Sequence, residues 1–218
     1  MAAGAQKTEP LLAIMAGQPV MPVVKIARVE DAVPLARALA AGGLPAIEIT
    51  LRTPAALDAI RAVAAHVPEA VVGAGTILDA GQFAAAQAAG ARFIVSPGFT
   101  PALARAAAAG ETPLLPGAIT PGEIMAAAEA GYSLLKFFPA GQAGGPAFLK
   151  ALASPFAGVR FCPTGGIDAD NAAAYLALGN VACVGGSWVA PDALVAAGRW
   201  DEITRLARQA AALKQRAF

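Results

Sequence analysis

The chain has 218 residues, a formal net charge of +1, 57% hydrophobic residues and a mean hydropathy of +0.58, a size that suits one substantial buried core. Its Lys and Arg residues are scattered, which leaves no electrostatic footprint for nucleic acid. The longest uncharged stretch, Asn171–Pro191, approaches bilayer length, but Gly179, Asn180, Gly185, Gly186 and Pro191 interrupt it, so no membrane span is predicted.

In chain order, Met1–Pro10 lacks the charged-then-apolar pattern of an export signal, and a cytoplasmic protein is expected. Thr8–Ala16 reads as a leading helix. From there short apolar or β-rich runs recur: Met21–Ile26, Ala46–Thr50, Val71–Ala74, Phe93–Ser96, Pro113–Leu115, Leu134–Phe138, Arg160–Cys162 and Ala182–Val184. Alanine-rich helical segments separate them. Thr53-Pro54, Asp79, Thr100-Pro101 and Thr120-Pro121 are helix-start signals, and Gly42-Gly43, Gly90, Gly110 and Gly131 are stops. Eight strand–helix units predict a closed (β/α)8 barrel, an α/β fold, with the leading helix capping its bottom and residues 1–218 forming a single domain. The first strand is not followed by the glycine pattern of a dinucleotide fold.

Barrel active sites lie at the C-terminal ends of the strands, so polar residues there are the candidates. In Ala46–Thr50, period-two alternation sends Ile47 and Ile49 toward the helices and Glu48 and Thr50 into the barrel. In Leu134–Phe138 the same alternation puts Leu134, Lys136 and Phe138 on one side, so Lys136 can face Glu48. A lysine in an apolar run is either a snorkelling side chain with its ammonium in water or a desolvated one. Desolvation favours the neutral amine, the nucleophile that forms Schiff bases with ketones. Glu48 has a structural reading as an ion-pair partner of Lys136 or Arg52, and a functional one as general acid–base.

Arg52 offers a planar fork for a carboxylate, and Gly73-Ala74-Gly75-Thr76 offers close backbone approach and a hydroxyl at the rim. Gly165-Gly166 and Gly185-Gly186-Ser187 close the last two strands, where barrel enzymes bind phosphate through backbone N–H groups. Cys162 and Cys183 sit in apolar runs as reduced, buried thiols. With one histidine, His66 at the polar end of a helix, they make no metal site. Together the candidates fit a substrate carrying a ketone, a carboxylate and a phosphate. A barrel isomerase or epimerase for a phosphosugar, with Lys136 acting only electrostatically, stays open, as does a non-catalytic binding protein.

Glu48–Thr53, Gly73–Thr76, Ser96-Pro97-Gly98, Lys136–Ala140, Arg160–Ile167 and Gly185–Trp188 closely resemble the 2-keto-3-deoxy-6-phosphogluconate (KDPG) aldolases, nearly the whole chain being in register. The resemblance implies a homotrimeric barrel without metal or other cofactor. It implies that Lys136 forms the imine with a phosphorylated 2-keto acid or pyruvate, and that Glu48 moves protons. Arg52 and Thr76 would hold the pyruvyl carboxylate, Pro97, Phe138 and Thr164 would line the pocket, and Gly165, Gly166, Gly186 and Ser187 would take the phosphate. Sister aldolases acting on 4-hydroxy-2-oxoglutarate or the galactonate epimer are the nearest alternatives. The chain departs from the family pattern at Gly141, where Glu is common, and at Pro116–Thr120. Both segments border the expected site.

Overall fold

A computed structural model describes Ala5–Leu213, with side chains from Thr8 onward. Eight parallel strands form the interior: β1 (Val20–Val24), β2 (Ala46–Thr50), β3 (Val71–Gly75), β4 (Ile94–Val95), β5 (Leu114–Leu115), β6 (Leu134–Phe137), β7 (Arg160–Pro163) and β8 (Val184–Gly186). Among the described residues, ten α-helices accompany them: α1 (Ala5–Met15), α2 (Ala32–Ala41), α3 (Ala56–His66), α4 (Ala80–Ala88), α5 (Pro101–Ala109), α6 (Pro121–Glu129), α7 (Gly145–Leu152), α8 (Ala172–Leu176), α9 (Asp192–Ala196) and α10 (Trp200–Ala211).

The sheet runs β5-β4-β3-β2-β1-β8, with β6 and β7 as a second pair. Narrow seams join the two. Between β5 and β6, Lys136 N donates to Pro116 O (2.8 Å) and Ala118 N donates to Lys136 O (2.9 Å). Between β7 and β8, Phe161 N donates to Asn180 O and Ala182 N to Phe161 O, with Thr164 opposite Gly185 further along. These seams close the sheet into the (β/α)8 barrel that the eight-unit rhythm predicts.

Alternation divides the core into two layers. Ile47, Ile49, Leu135, Phe137, Phe161 and Val184 pack outward against the helices. Met21, Ala46, Phe93, Val95, Leu115, Leu134, Cys162 and Cys183 fill the inside, where Leu11 and Met15 of α1 join them. The expected leading helix therefore does plug the bottom of the barrel, although it begins earlier than Thr8.

Local start signals hold at three helices. Asp79 accepts from Gln82 N, Thr100 accepts from Leu103 N, and Thr120 and Glu123 form a reciprocal capping box on α6. At α3 the expectation fails. The helix starts at Ala56 because the Thr53 hydroxyl donates to Ile26 O, across to the β1 side, instead of accepting from its own helix. Gly110, read as a helix stop, is extended (φ −122°), so α5 ends without a left-handed turn. Two strands shift as well. β1 stops at Val24, leaving Lys25 and Ile26 beyond it, and β8 begins at Val184, so Gly185 and Gly186 belong to the strand instead of the loop.

Candidate active site

At the C-terminal mouth, successive inward positions build a floor and a rim. Glu48 on β2 and Lys136 on β6 meet across the barrel, with Lys136 Nζ 3.1 Å from Glu48 Oε1. Both residues are 2% exposed, so the snorkelling reading of Lys136 is wrong. The Phe138 ring lies 5.4 Å from Nζ, within cation–π range. One layer nearer solvent come Thr50, Phe138 and Thr164, two residues beyond Glu48, Lys136 and Cys162 on their respective strands. Thr50 is fixed by donating to Val24 O (3.0 Å).

Gly75 explains how a glutamate fits there. It is followed directly by the rim, and a Cβ on it would fall on Glu48 Oε1. The small-residue end of β3 thus leaves space for the carboxylate to reach the lysine. Next to it, Thr76 holds φ at +60°, a left-handed conformation that a β-branched residue adopts at a cost of about 1–3 kcal/mol. In that pose its hydroxyl accepts from Arg52 Nε (3.1 Å). Strain at Thr76 therefore orients the exposed guanidinium at the rim.

Above the buried pair lies a cavity of about 240 Å³. Arg52, Phe138, Thr164, Gly165, Gly166, Gly186 and Ser187 all line it, which brings together seven of the residues singled out in the sequence. Gly165 and Gly166 take φ of +94° and +72°, a backbone course that favours glycine, and a Cβ on Gly165 would press on the Phe138 ring at 3.1 Å. Gly186 could bear no Cβ without striking Trp188. Gly141 N donates to Gly165 O (2.9 Å), which sets the departure at position 141 directly against this turn.

Four sequence candidates are not lining residues of the cavity. Lys136 and Glu48 are sealed beneath it, Thr76 reaches it through Arg52, and Pro97 is half-buried at the end of β4 with its carbonyl close to Gly117. Conversely, the cavity includes Lys25 and Asp192, which sequence reasoning did not place there. Asn171, also missed, donates to Gly166 O (2.9 Å) and pins the glycine turn. Its Asp168–Asn171 turn is a local signal that was readable.

Below the Lys–Glu pair, Cys183 Sγ lies 3.3 Å from Cys162 Sγ and 3.6 Å from Met15 Sδ. The hydrogen bond with Cys162, and then burial, push the Cys183 thiol well above its ordinary range, so it stays protonated. Among the described residues, no group of three or more His, Cys, Asp or Glu could hold a metal ion, and no helix is long and apolar enough to cross a membrane.

Fold and site together define a (β/α)8-barrel enzyme with its polar groups gathered at the C-terminal ends of the strands. Residues 11–206 match the sequence profile of the KDPG and KHG aldolases, and the chain belongs to that family. It is 51% identical over 197 residues to the KHG/KDPG aldolase of Escherichia coli (strain K12), covering 90% of this chain and 92% of that protein. KDPG aldolase from Legionella pneumophila, with pyruvate captured as a covalent carbinolamine, has a similar structure (TM-score 0.89, 47% identity, 91% of this chain and 96% of that one). The 2-keto-3-deoxy-6-phosphogluconate aldolase of Zymomonas mobilis ZM4 with 3-phosphoglycerate gives a TM-score of 0.87 at 48% identity, covering 93% and 95%.

Proposed function

We propose that the chain is a Schiff-base aldolase that reversibly cleaves 2-keto-3-deoxy-6-phosphogluconate to pyruvate and D-glyceraldehyde 3-phosphate. The observation that carries this reading is the Lys136–Glu48 contact, 3.1 Å and almost fully buried beneath a cavity with a glycine-lined rim. A buried ion pair contributes little net stability once desolvation is counted, so its value lies in chemistry.

The neutral Lys136 amine attacks the C2 ketone, and Glu48 supplies the proton with which the carbinolamine loses water. The iminium then accepts the electron pair of the C3–C4 bond while the Glu48 carboxylate takes the C4 hydroxyl proton. Glyceraldehyde 3-phosphate leaves. The remaining enamine is protonated at C3, and hydrolysis of the imine frees pyruvate and the amine. Splitting the reaction through a covalent intermediate replaces one hard step by several easier ones. Thr50, Phe138 and Thr164, one layer nearer solvent than the amine, line the cavity through which the ketone reaches it. Arg52 with Thr76 takes the pyruvyl carboxylate, and the Gly165-Gly166 turn together with the end of β8 at Gly186 and Ser187 takes the phosphate. The Legionella pneumophila structure supports the lysine chemistry, since that relative holds pyruvate covalently.

The 4-hydroxy-2-oxoglutarate reading has support in the double name of the Escherichia coli relative. Comparison of kcat/KM for KDPG, its galactonate epimer and 4-hydroxy-2-oxoglutarate, with pyruvate release followed by a coupled dehydrogenase, decides among them. KDPG is expected to lead. A higher value for either rival reassigns the substrate, and no turnover of any of the three sinks the aldolase reading. We further infer that residues 1–218 act as one cytoplasmic domain assembled as a homotrimer.

A further inference from the structure

An ion pair stands at one side of the catalytic cavity. Lys25, the first residue past β1, places Nζ 2.6 Å from Oδ2 of Asp192, the first residue of α9. The two side chains are 49% and 66% exposed. Both residues line two spaces: the catalytic cavity and a neighbouring groove of about 410 Å³ bounded by Ala27, Arg28 and Val195. The pair is therefore the partition between them, with open volume on either side into which the ammonium can move.

Charge counting gives this partition a purpose. The charged residues lining the cavity are Arg52, Lys25 and Asp192. On the aldolase reading, from which this inference starts, the substrate brings a carboxylate and a phosphate monoester, the latter carrying about −1.5 to −2 charges. Arg52, joined to Thr76, belongs to the β2–β3 side of the mouth. The glycine turns offer N–H groups and no formal charge. β1 pairs with β8 through Pro22 opposite Gly186, so Lys25, just beyond β1, stands on the Gly186–Ser187 side. While Asp192 holds Lys25, an arriving phosphate meets a neutralised cation and an opposing carboxylate. An exposed ammonium–carboxylate pair is weakly held in water and is screened by salt. A phosphate dianion with several acceptor oxygens is the stronger partner. Arg28 is no substitute, because its guanidinium is committed to both carboxylate oxygens of Asp31 (2.9 and 2.8 Å).

We propose that Lys25 is a positioning cation for the substrate's terminal phosphate, that Asp192 holds it in reserve, and that exchange of the ammonium from Asp192 to the phosphate sets the preference for phosphorylated substrates. The ligand class is a phosphate monoester dianion.

Two measurements on the full chain test this. The first is the ratio of KM for 2-keto-3-deoxygluconate to KM for its 6-phosphate. Lys25→Met should lower that ratio about 10-fold, the effect of one charge-assisted contact. Lys25→Arg should restore most of it, and Asp192→Asn should raise it. The second is calorimetric titration of inorganic phosphate, which needs no turnover. Affinity should fall in Lys25→Met and rise in Asp192→Asn. A Lys25→Met ratio and phosphate affinity within twofold of the unmodified protein would overturn the proposal. So would Asp192→Asn moving both quantities in the same direction as Lys25→Met, which would mark the pair as a structural strut. If the unmodified protein cleaves neither sugar acid, the aldolase reading fails, and the phosphate titration still decides the role of Lys25.

Discussion

At the scale of single residues, two neighbouring glycines on β3 separate chemistry from packing. A Cβ on Gly73 would fall on the Phe93 ring in the apolar interior, whereas one on Gly75 would fall on the Glu48 carboxylate. Gly73→Ala is therefore expected to cost about 1–3 kcal/mol of stability through overpacking, with kcat kept in the protein that folds. Gly75→Ala is expected to lower kcat about 10²–10⁴-fold, the range for losing a positioned acid–base group. Thermal unfolding and steady-state kinetics on the two variants check this, and equal kinetic effects would show that Glu48 does not need its place beside Gly75. Which residues were legible follows from how local their signal was. Glu48 and Lys136 could be read because each sits at an inward position of a strand with strict alternation. Lys25 and Asp192 could not, since the closure of β8 onto β1 joins them and no motif links them along the chain. Thr76 gave no sign of its left-handed backbone, because threonine is a poor choice for that conformation on propensity alone.

At the scale of elements, the capping box at Thr120 and Glu123 was legible as Thr120-Pro121, and it carries a measurable stability. Thr120→Ala should cost about 1 kcal/mol and lower Tm by about 2–4 °C. The Thr120 N–H and then the Ile119 N–H hold the Glu123 carboxyl below its ordinary range in the folded protein. A depressed folded value means the carboxylate's contribution is present above the unfolded carboxylate pKa of about 4.3 and is lost as pH falls through the lower folded value. Glu123→Gln should thus be destabilising at pH 7, with the difference shrinking on acidification below about pH 4. A difference that stays constant from pH 7 to pH 3 would contradict this sign. Where element limits were misread, a tertiary contact had replaced the local one. Thr53 bonds to Ile26 O across to the β1 side, and Gly185-Gly186 pair as strand because β1 and the Thr164 backbone face them.

At the scale of the molecule, the eight-unit rhythm made the closed barrel legible, and the apolar spacing of Thr8–Ala16 made its bottom plug legible. The narrow seams at Lys136 and Phe161 were not, because single bridges leave no periodic trace in sequence. Assembly was legible only through resemblance. If the protein is a homotrimer, light scattering should return three times the 21.6 kDa protomer mass, and a value of one protomer would refute it. The central claim concerns the amine that the barrel buries at Lys136. Incubation of the whole protein with pyruvate and borohydride, followed by peptide mass mapping, tests it most directly. One reduced pyruvyl group on the peptide containing Lys136, absent in a folded Lys136→Ala variant, is the predicted result. Labelling at Lys25 instead, or no trapped adduct at all, would contradict it.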